Sequence, residues 1–171
     1  MAFFVDYSPV SAVVGINPPR IDHAGCPPRH PDVQLRGPSS TGHPSMPRKA
    51  YSAKSATAVG AYSHAVEANG FVHLSGQTPL DSATGRLVEG DIGAQTAQCM
   101  RNLFAVLAES GLTPDDVVSC SVYLTDMNDF SAMNAVYERQ FSKPFPARTT
   151  IGVAALPLGA SVEIGLIAAR P

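Results

Sequence analysis

The chain has 171 residues, of which 44% are hydrophobic, and a formal net charge of -2. This length suits one ordinary domain with a tail, and the charge gives no electrostatic case for a nucleic-acid partner. The apolar runs stop well short of the roughly 20 residues that a membrane-spanning helix needs. Three cysteines without close spacing are typical of reduced thiols in an intracellular protein, so we expect a cytoplasmic location and no membrane partner.

The first 45 residues differ in composition from the rest of the chain. Nine of the fifteen prolines lie before residue 50, without hydrophobic periodicity. We predict a disordered proline-rich tail over residues 1–45, either an upstream extension or a start-site artefact, and one folded domain over residues 46–171. His23, Cys26 and His30 are spaced as half of a zinc site, but the segment lacks a fourth ligand, so we predict no metal.

A hairpin and a long helix are predicted next. Extended runs over residues 63–68 and 71–75 flank Asn69-Gly70, the strongest short-range hairpin signal. After a turn-rich connection, apolar residues recur at helical spacing from Asp91, the predicted N-cap, to about Ser110. Gly111 then ends the helix.

The second half alternates between strands and a helix. Residues 113–116 predict a capped single turn, and residues 117–124 a strand with Val118 and the following even-numbered residues on one face. Caps at residues 126–129 begin a second helix with an aromatic and methionine stripe typical of core packing. A final apolar strand is predicted over residues 160–169. This order predicts an α+β sheet with both helices on one face, which leaves the other, apolar face for partners to bury.

Arg148 is the first candidate for chemistry. Pro144 and Pro146 stiffen the loop before it, and the strand begins near Ala147, so Arg148 and Thr150 share one face. A guanidinium is costly to bury without an anion, and its planar fork fits a carboxylate. An internal acid or solvent would also satisfy it.

Glu163 is the second candidate, because it is the acid within an otherwise apolar strand. It could form a salt bridge with Arg148 on an adjacent strand. It could instead be a carboxylate of raised pKa that orients or deprotonates water beside an arginine holding a substrate carboxylate. The pattern alone does not separate these two interpretations. Standard nucleotide, metalloprotease and hydrolase motifs are absent, so no cofactor is expected.

Six segments resemble, in order and spacing, the reactive intermediate deaminase family, also called the Rid or YjgF family: GAYSHAV, SGQTPLD, AESGLTPDDVV, DMNDFSAMNAVYE, FPART and LPLGASVEI. The resemblance covers residues 46–171. It implies a chorismate-mutase-like α+β fold and a homotrimer with active sites in the clefts between subunits. The implied reaction is hydrolysis of enamines and imines, such as 2-aminoacrylate, 2-iminopropanoate and 2-iminobutanoate, to 2-keto acids and ammonia. Pyridoxal-phosphate dehydratases release these compounds, which damage other enzymes.

The resemblance also assigns site residues. Arg148 matches the arginine that grips the substrate carboxylate, and Glu163 matches the acid that positions water. The substrate-binding residues that it implies, besides Arg148, are Tyr62, Ser75, Gly76, Asn134 and Thr150.

Three positions depart from the family pattern. Ala61 replaces a proline, His64 a glutamine, and Thr150 a cysteine that is thought to act through its main chain. His64 is a titratable group that could shift substrate preference, although a lone histidine on a strand is usually at the surface. A non-catalytic trimer that binds small carboxylates, and a ribonuclease, are the competing functions.

Overall fold

The computed structural model describes residues 47–53 and 60–171. The predicted tail and the histidines and cysteine of the half zinc site lie outside these residues. No helix in the described part is long and apolar enough to cross a membrane. The strands are β1 Lys49–Tyr51, β2 Ala65–Ala68, β3 Phe71–Gln77, β4 Leu80–Asp81, β5 Arg86–Leu87, β6 Val117–Leu124, β7 Ala147–Gly152 and β8 Val162–Ala169, and the helices are α1 Ile92–Glu109 and α2 Phe130–Tyr137.

Six strands form one sheet in the order β1-β2-β3-β8-β6-β7, and β4 and β5 form a separate small hairpin. All neighbours in the sheet are antiparallel except β6 and β7, which run parallel because α2 connects them. The prediction of an α+β sheet with two helices is confirmed. Three short strands, β1, β4 and β5, were not predicted.

The residues predicted to form the hairpin turn and the two ends of the long helix do so in the structure. Asn69 and Gly70 have φ angles of 53° and 77°, the left-handed pair that a two-residue hairpin turn needs. The side chain of Asp91 accepts a hydrogen bond of 2.8 Å from the amide of Ala94, so it caps α1. Gly111, with a φ of 75°, follows the last turn of the helix.

The core lies between the helices and one face of the sheet. In β8 the residues alternate, with the even-numbered ones buried. The thiols of Cys99 and Cys120 are free and buried there, and burial raises the pKa of both, so they are inert as nucleophiles. The largest fully buried side chains include Met100, Leu103, Leu107, Leu124, Met133, Ile164 and Leu166.

A β-bulge corrects the predicted faces of β6. Val117 pairs with Ala168 and Ser119 with Ile167, so β6 contains one extra residue between them. The extra residue, Val118, is 43% exposed, whereas Val117 is buried. The alternation predicted for this strand therefore holds only from Ser119 onward.

The helix-free face of the sheet is of mixed polarity, where the sequence predicted an apolar one. A shallow cavity on this face is lined by hydroxyl, imidazole and carboxyl side chains as well as by glycine and an aliphatic side chain. These residues include His73, Ser119, Ser121, Tyr123, Glu163, Gly165 and Ile167.

An ion pair fastens the C-terminus to the first strands. Arg170 donates to Glu67 at 2.8 Å, to the hydroxyl of Tyr51 at 3.0 Å and to the carbonyl of Ser110 at 2.9 Å. The bond from Arg170, with a second one from Tyr51, lowers the pKa of Glu67 from 4.5 to about 2. Folding therefore favours the charged carboxylate.

The Glu67 pair predicts a pH-dependent stability. A carboxylate with a lowered folded-state pKa stabilises the fold above its unfolded pKa near 4.5, and this contribution is lost as the pH falls toward about 2. Glu67→Gln should unfold at lower urea than the wild type at pH 7, and the difference should shrink below pH 4.5. The exposed Glu109→Gln is the control. A difference that does not change with pH would contradict the assignment.

Candidate functional site

Arg148 lies on β7 and packs under α2. One guanidinium nitrogen donates to the side-chain oxygen of Asn134 at 2.8 Å. The guanidinium carbon lies 4.5 Å from the ring centre of Tyr137 and 5.6 Å from that of Phe130. Cation–π contacts with these two rings fix the plane of the guanidinium without neutralising its charge.

The charge of Arg148 has no carboxylate partner within the part of the chain that the structure describes. The ion pair found there joins Arg170 to Glu67. A guanidinium has five N–H donors, and Asn134 uses one of them. β7 is also the last strand in the sheet order, so its outer main-chain groups pair with no described strand. This edge can accept a planar anion.

Glu163 lies on the helix-free face of β8, at a second cavity of about 400 Å³. Burial raises the pKa of Glu163 above its ordinary value of 4.5. A carboxylate in such a position can take up and return a proton closer to neutral pH than an exposed one. The cavity is lined by Tyr62, Ser75, Gly76, Gln77, Thr78, Leu80, Pro157, Leu158 and Glu163.

A bulge in β3 makes room for the Glu163 carboxylate. Leu74 pairs with Leu166 and Gln77 with Ile164, so β3 contains one extra residue at Ser75-Gly76. A Cβ atom on Gly76 would lie 2.1 Å from the Glu163 Oε1 atom. A side chain at position 76 would therefore require the Glu163 carboxylate to move.

The structure overturns the proposed salt bridge between Arg148 and Glu163. β6 separates their strands, because β7 pairs with β6 and not with β8. Arg148 contacts α2, whereas Glu163 lines the helix-free face. The sequence-predicted site is thus two groups within one chain. Arg148 and Asn134 form the first, and Tyr62, Ser75, Gly76 and Glu163 form the second.

The buried His64 and the half-buried Thr150 have buried side-chain atoms with unused hydrogen-bonding capacity. The Thr150 hydroxyl and both ring nitrogens of His64 find no partner among the described residues. His64 is 3% exposed, so the expectation that it lies at the surface is wrong. Its ring contacts the ring of Tyr62 edge-on, with centres 6.0 Å apart. His64 thereby supports a side chain that lines the cavity.

Two features of the site were missed in the sequence. The residues Phe130 and Tyr137 were interpreted as core alone, although they flank Asn134 at helical spacing, and this spacing was a usable signal. The second feature is Leu158, which the sequence did not assign to the site. Within residues 47–53 and 60–171, no group of three or more His, Cys, Asp or Glu residues is placed to hold a metal ion.

The fold and the cavity define the class of the chain: an α+β protein with a cavity of about 400 Å³ beside one face of its sheet. The family model described as Endoribonuclease L-PSP matches residues 52–170. The chain therefore belongs to this family, which is the YjgF/RidA or Rid family. The predicted family is confirmed.

Individual relatives agree with this assignment. Protein DfrA of Myxococcus xanthus is 50% identical over 126 residues, which cover 72% of this chain and 96% of that protein. The 2-iminobutanoate/2-iminopropanoate deaminase of Bos taurus is 42% identical, covering 74% of this chain and 93% of the relative. The crystal structure of E. coli TdcF with bound serine matches with a TM-score of 0.68 and 32% identity, covering 72% and 99% of the two chains.

The close contact at Gly76 predicts that a methyl group there will displace Glu163. In Gly76→Ala the carboxylate should move toward water, so the pKa of Glu163 should fall toward its ordinary value of 4.5. Carbon-13 NMR titration of the glutamate carboxylates measures this change. Gly165→Ala is the matched control, because its Cβ would lie 3.6 Å from the nearest atom, an ordinary contact. An unchanged Glu163 titration in Gly76→Ala would contradict this account.

Proposed function

We propose that this chain hydrolyses reactive 2-imino acids, and the enamines that tautomerise to them, to 2-keto acids and ammonia. The observation that carries the proposal is Arg148, which Asn134 and Tyr137 hold in place and no described carboxylate neutralises. The mammalian relatives named 2-iminobutanoate/2-iminopropanoate deaminase support the same reaction.

Arg148 binds the substrate carboxylate in this mechanism. Its fork offers two parallel N–H donors to the two carboxylate oxygens, which fixes the substrate's position and plane. Asn134 and Tyr137 keep the guanidinium oriented before substrate arrives, so little side-chain freedom is lost on binding.

Glu163 handles the protons of the reaction. The water molecule gives one proton to Glu163, and its oxygen bonds to the carbon of the protonated imine, which produces a carbinolamine. Glu163 returns this proton to the nitrogen. The carbon–nitrogen bond then breaks, ammonia leaves with the bonding electron pair, and the hydroxyl gives its proton to water as the keto group forms. The raised pKa of Glu163 suits both transfers.

Arg148 and Glu163 act on one substrate when they come from different subunits. They lie on two faces of one sheet with β6 between their strands, so a second copy must bring the edge of its β7 to the Glu163 cavity. A homotrimer with three such clefts meets this requirement. Pyridoxal-phosphate enzymes would supply the imines.

A non-catalytic protein that binds small carboxylates is the second candidate, because the solved relative TdcF contains bound serine. Such a protein would use Arg148 in the same way but would not change the rate of imine hydrolysis. Cleavage of RNA is disfavoured, since no lysine, arginine or histidine among the described residues lines the cavity of about 400 Å³, and the proposed cleft adds Arg148 alone, whereas an RNA backbone is bound by several cations.

Removing Arg148 should abolish most of the activity. In the assay, a dehydratase acting on serine or threonine supplies the imine, and semicarbazide traps the imine that the protein does not hydrolyse. The measured quantity is the share of imine that the protein diverts from the trap to keto acid. Arg148→Ala should lower kcat/KM at least roughly thirtyfold, and Arg148→Lys should recover only part, because an ammonium lacks the planar fork. Arg139→Ala removes a nearby exposed arginine as a control. If folded Arg148→Ala converts imine to keto acid at the wild-type rate, the carboxylate-binding mechanism is wrong.

Mixed trimers test whether the site lies between subunits. Arg148→Ala and Glu163→Gln subunits with different tags are co-expressed and purified through both tags. In every mixed trimer one of the three clefts combines an intact Arg148 with an intact Glu163, so about one third of the wild-type activity should return. Each variant alone should be nearly inactive. Mixed trimers no more active than the single variants would place both residues in one subunit's site.

A further inference from the structure

The turn between β7 and β8 holds a leucine in a conformation that leucine disfavours. Leu158 has φ 59° and ψ 9°. The amide of Gly159 donates to the carbonyl of Leu156 at 3.2 Å, so Leu158 is the third residue of a tight turn. Positive φ at this position favours glycine or asparagine, because a β-carbon crowds the backbone there.

Solvation disfavours the leucine as well. Leu158 is 61% exposed, the largest value among the exposed large hydrophobic residues in the described part of the chain. A polar residue or glycine at position 158 would relieve both the backbone and the exposed apolar surface. A molecule that covers the Leu158 side chain would offset the cost of its exposed apolar surface.

The position of Leu158 indicates what approaches. It lines the same cavity as Glu163, and this cavity of about 400 Å³ is within the range of roughly 300–1,000 Å³ typical of small-molecule sites. The other apolar or aromatic residues of the lining are Tyr62, Leu80 and Pro157.

We propose that Leu158 is a specificity-determining residue, which selects 2-imino acids whose apolar side chain is longer than an ethyl group. This inference rests on the proposed function, because that function places the substrate's reacting carbon beside Glu163. The methyl group of 2-iminopropanoate leaves most of Leu158 in water. A branched four-carbon side chain, as in the imine of leucine, covers it and removes apolar surface from water on both molecules.

Binding of the keto-acid products tests the selection independently of turnover. Calorimetry gives the dissociation constants of 4-methyl-2-oxopentanoate and pyruvate, and the selectivity is the constant for pyruvate divided by the constant for the longer acid. The wild type should favour the longer acid. Leu158→Asn and Leu158→Gly should each lower this ratio about tenfold, and Leu158→Met, which stays long and apolar, should keep it within about twofold. Leu158→Gly should also unfold no earlier than the wild type, since glycine accepts positive φ.

The outcomes separate this inference from the proposed function. An unchanged ratio in Leu158→Asn overturns the selection. Dissociation of the assembly in Leu158→Asn and Leu158→Gly, measured by light scattering, also overturns it and assigns Leu158 to a contact between copies. A ratio that falls as expected in a protein that diverts no imine supports the selection and rejects the hydrolase.

Discussion

The alternation of residues along β8 is the constraint on which the core and the site both depend. β8 lies in the interior of the sheet and pairs with β3 and β6. Its even-numbered side chains fill the core beneath the helices, and Glu163 projects from the other face. A shift of one residue in register would exchange the two faces and bury the carboxylate in the core, which the cost of an unpaired buried charge forbids.

The two groups of site residues are prepared by different physical means. Arg148 is oriented by aromatic faces and one amide oxygen, which hold the guanidinium plane while leaving donors unused. Glu163 has room for its carboxylate because β3 bulges at this point and Gly76 has no side chain. The first arrangement preserves a charge for an anion, and the second makes a carboxylate a better proton carrier.

Local signals predicted the elements of this fold well, because caps, turns and periodicity are written in neighbouring residues. Asp91, Asn69 and Gly70 behave as their chemistry requires. Strand order was less accessible. The turn after β7 suggested that β7 and β8 pair, but β6 lies between them, and pairing of strands distant in sequence leaves no local signal.

Arg148 and Glu163 were identified from the strand pattern and the other candidate residues by resemblance, whereas their grouping required coordinates. Strand order decides the grouping, because β6 lies between the strands of Arg148 and Glu163, and the bulge in β3 places Gly76 beside Glu163. Gly76 illustrates the limit: the sequence shows a glycine, and only the distance to Glu163 shows that a side chain there would displace the carboxylate. For Leu158, the strain comes from its positive φ angle, which the amino-acid sequence does not show.

Assembly would act on the pKa of Glu163 in two opposing ways. A second copy that covers the cavity would exclude water and raise the pKa further, because the charged carboxylate loses solvation. The guanidinium of Arg148 arriving with that copy would lower it by attraction. A bound substrate carboxylate would neutralise Arg148 and weaken that attraction, so the pKa of Glu163 would rise when substrate enters. Substrate binding would then itself strengthen the base that activates water, and this coupling follows from placing the two charges on opposite faces of one sheet.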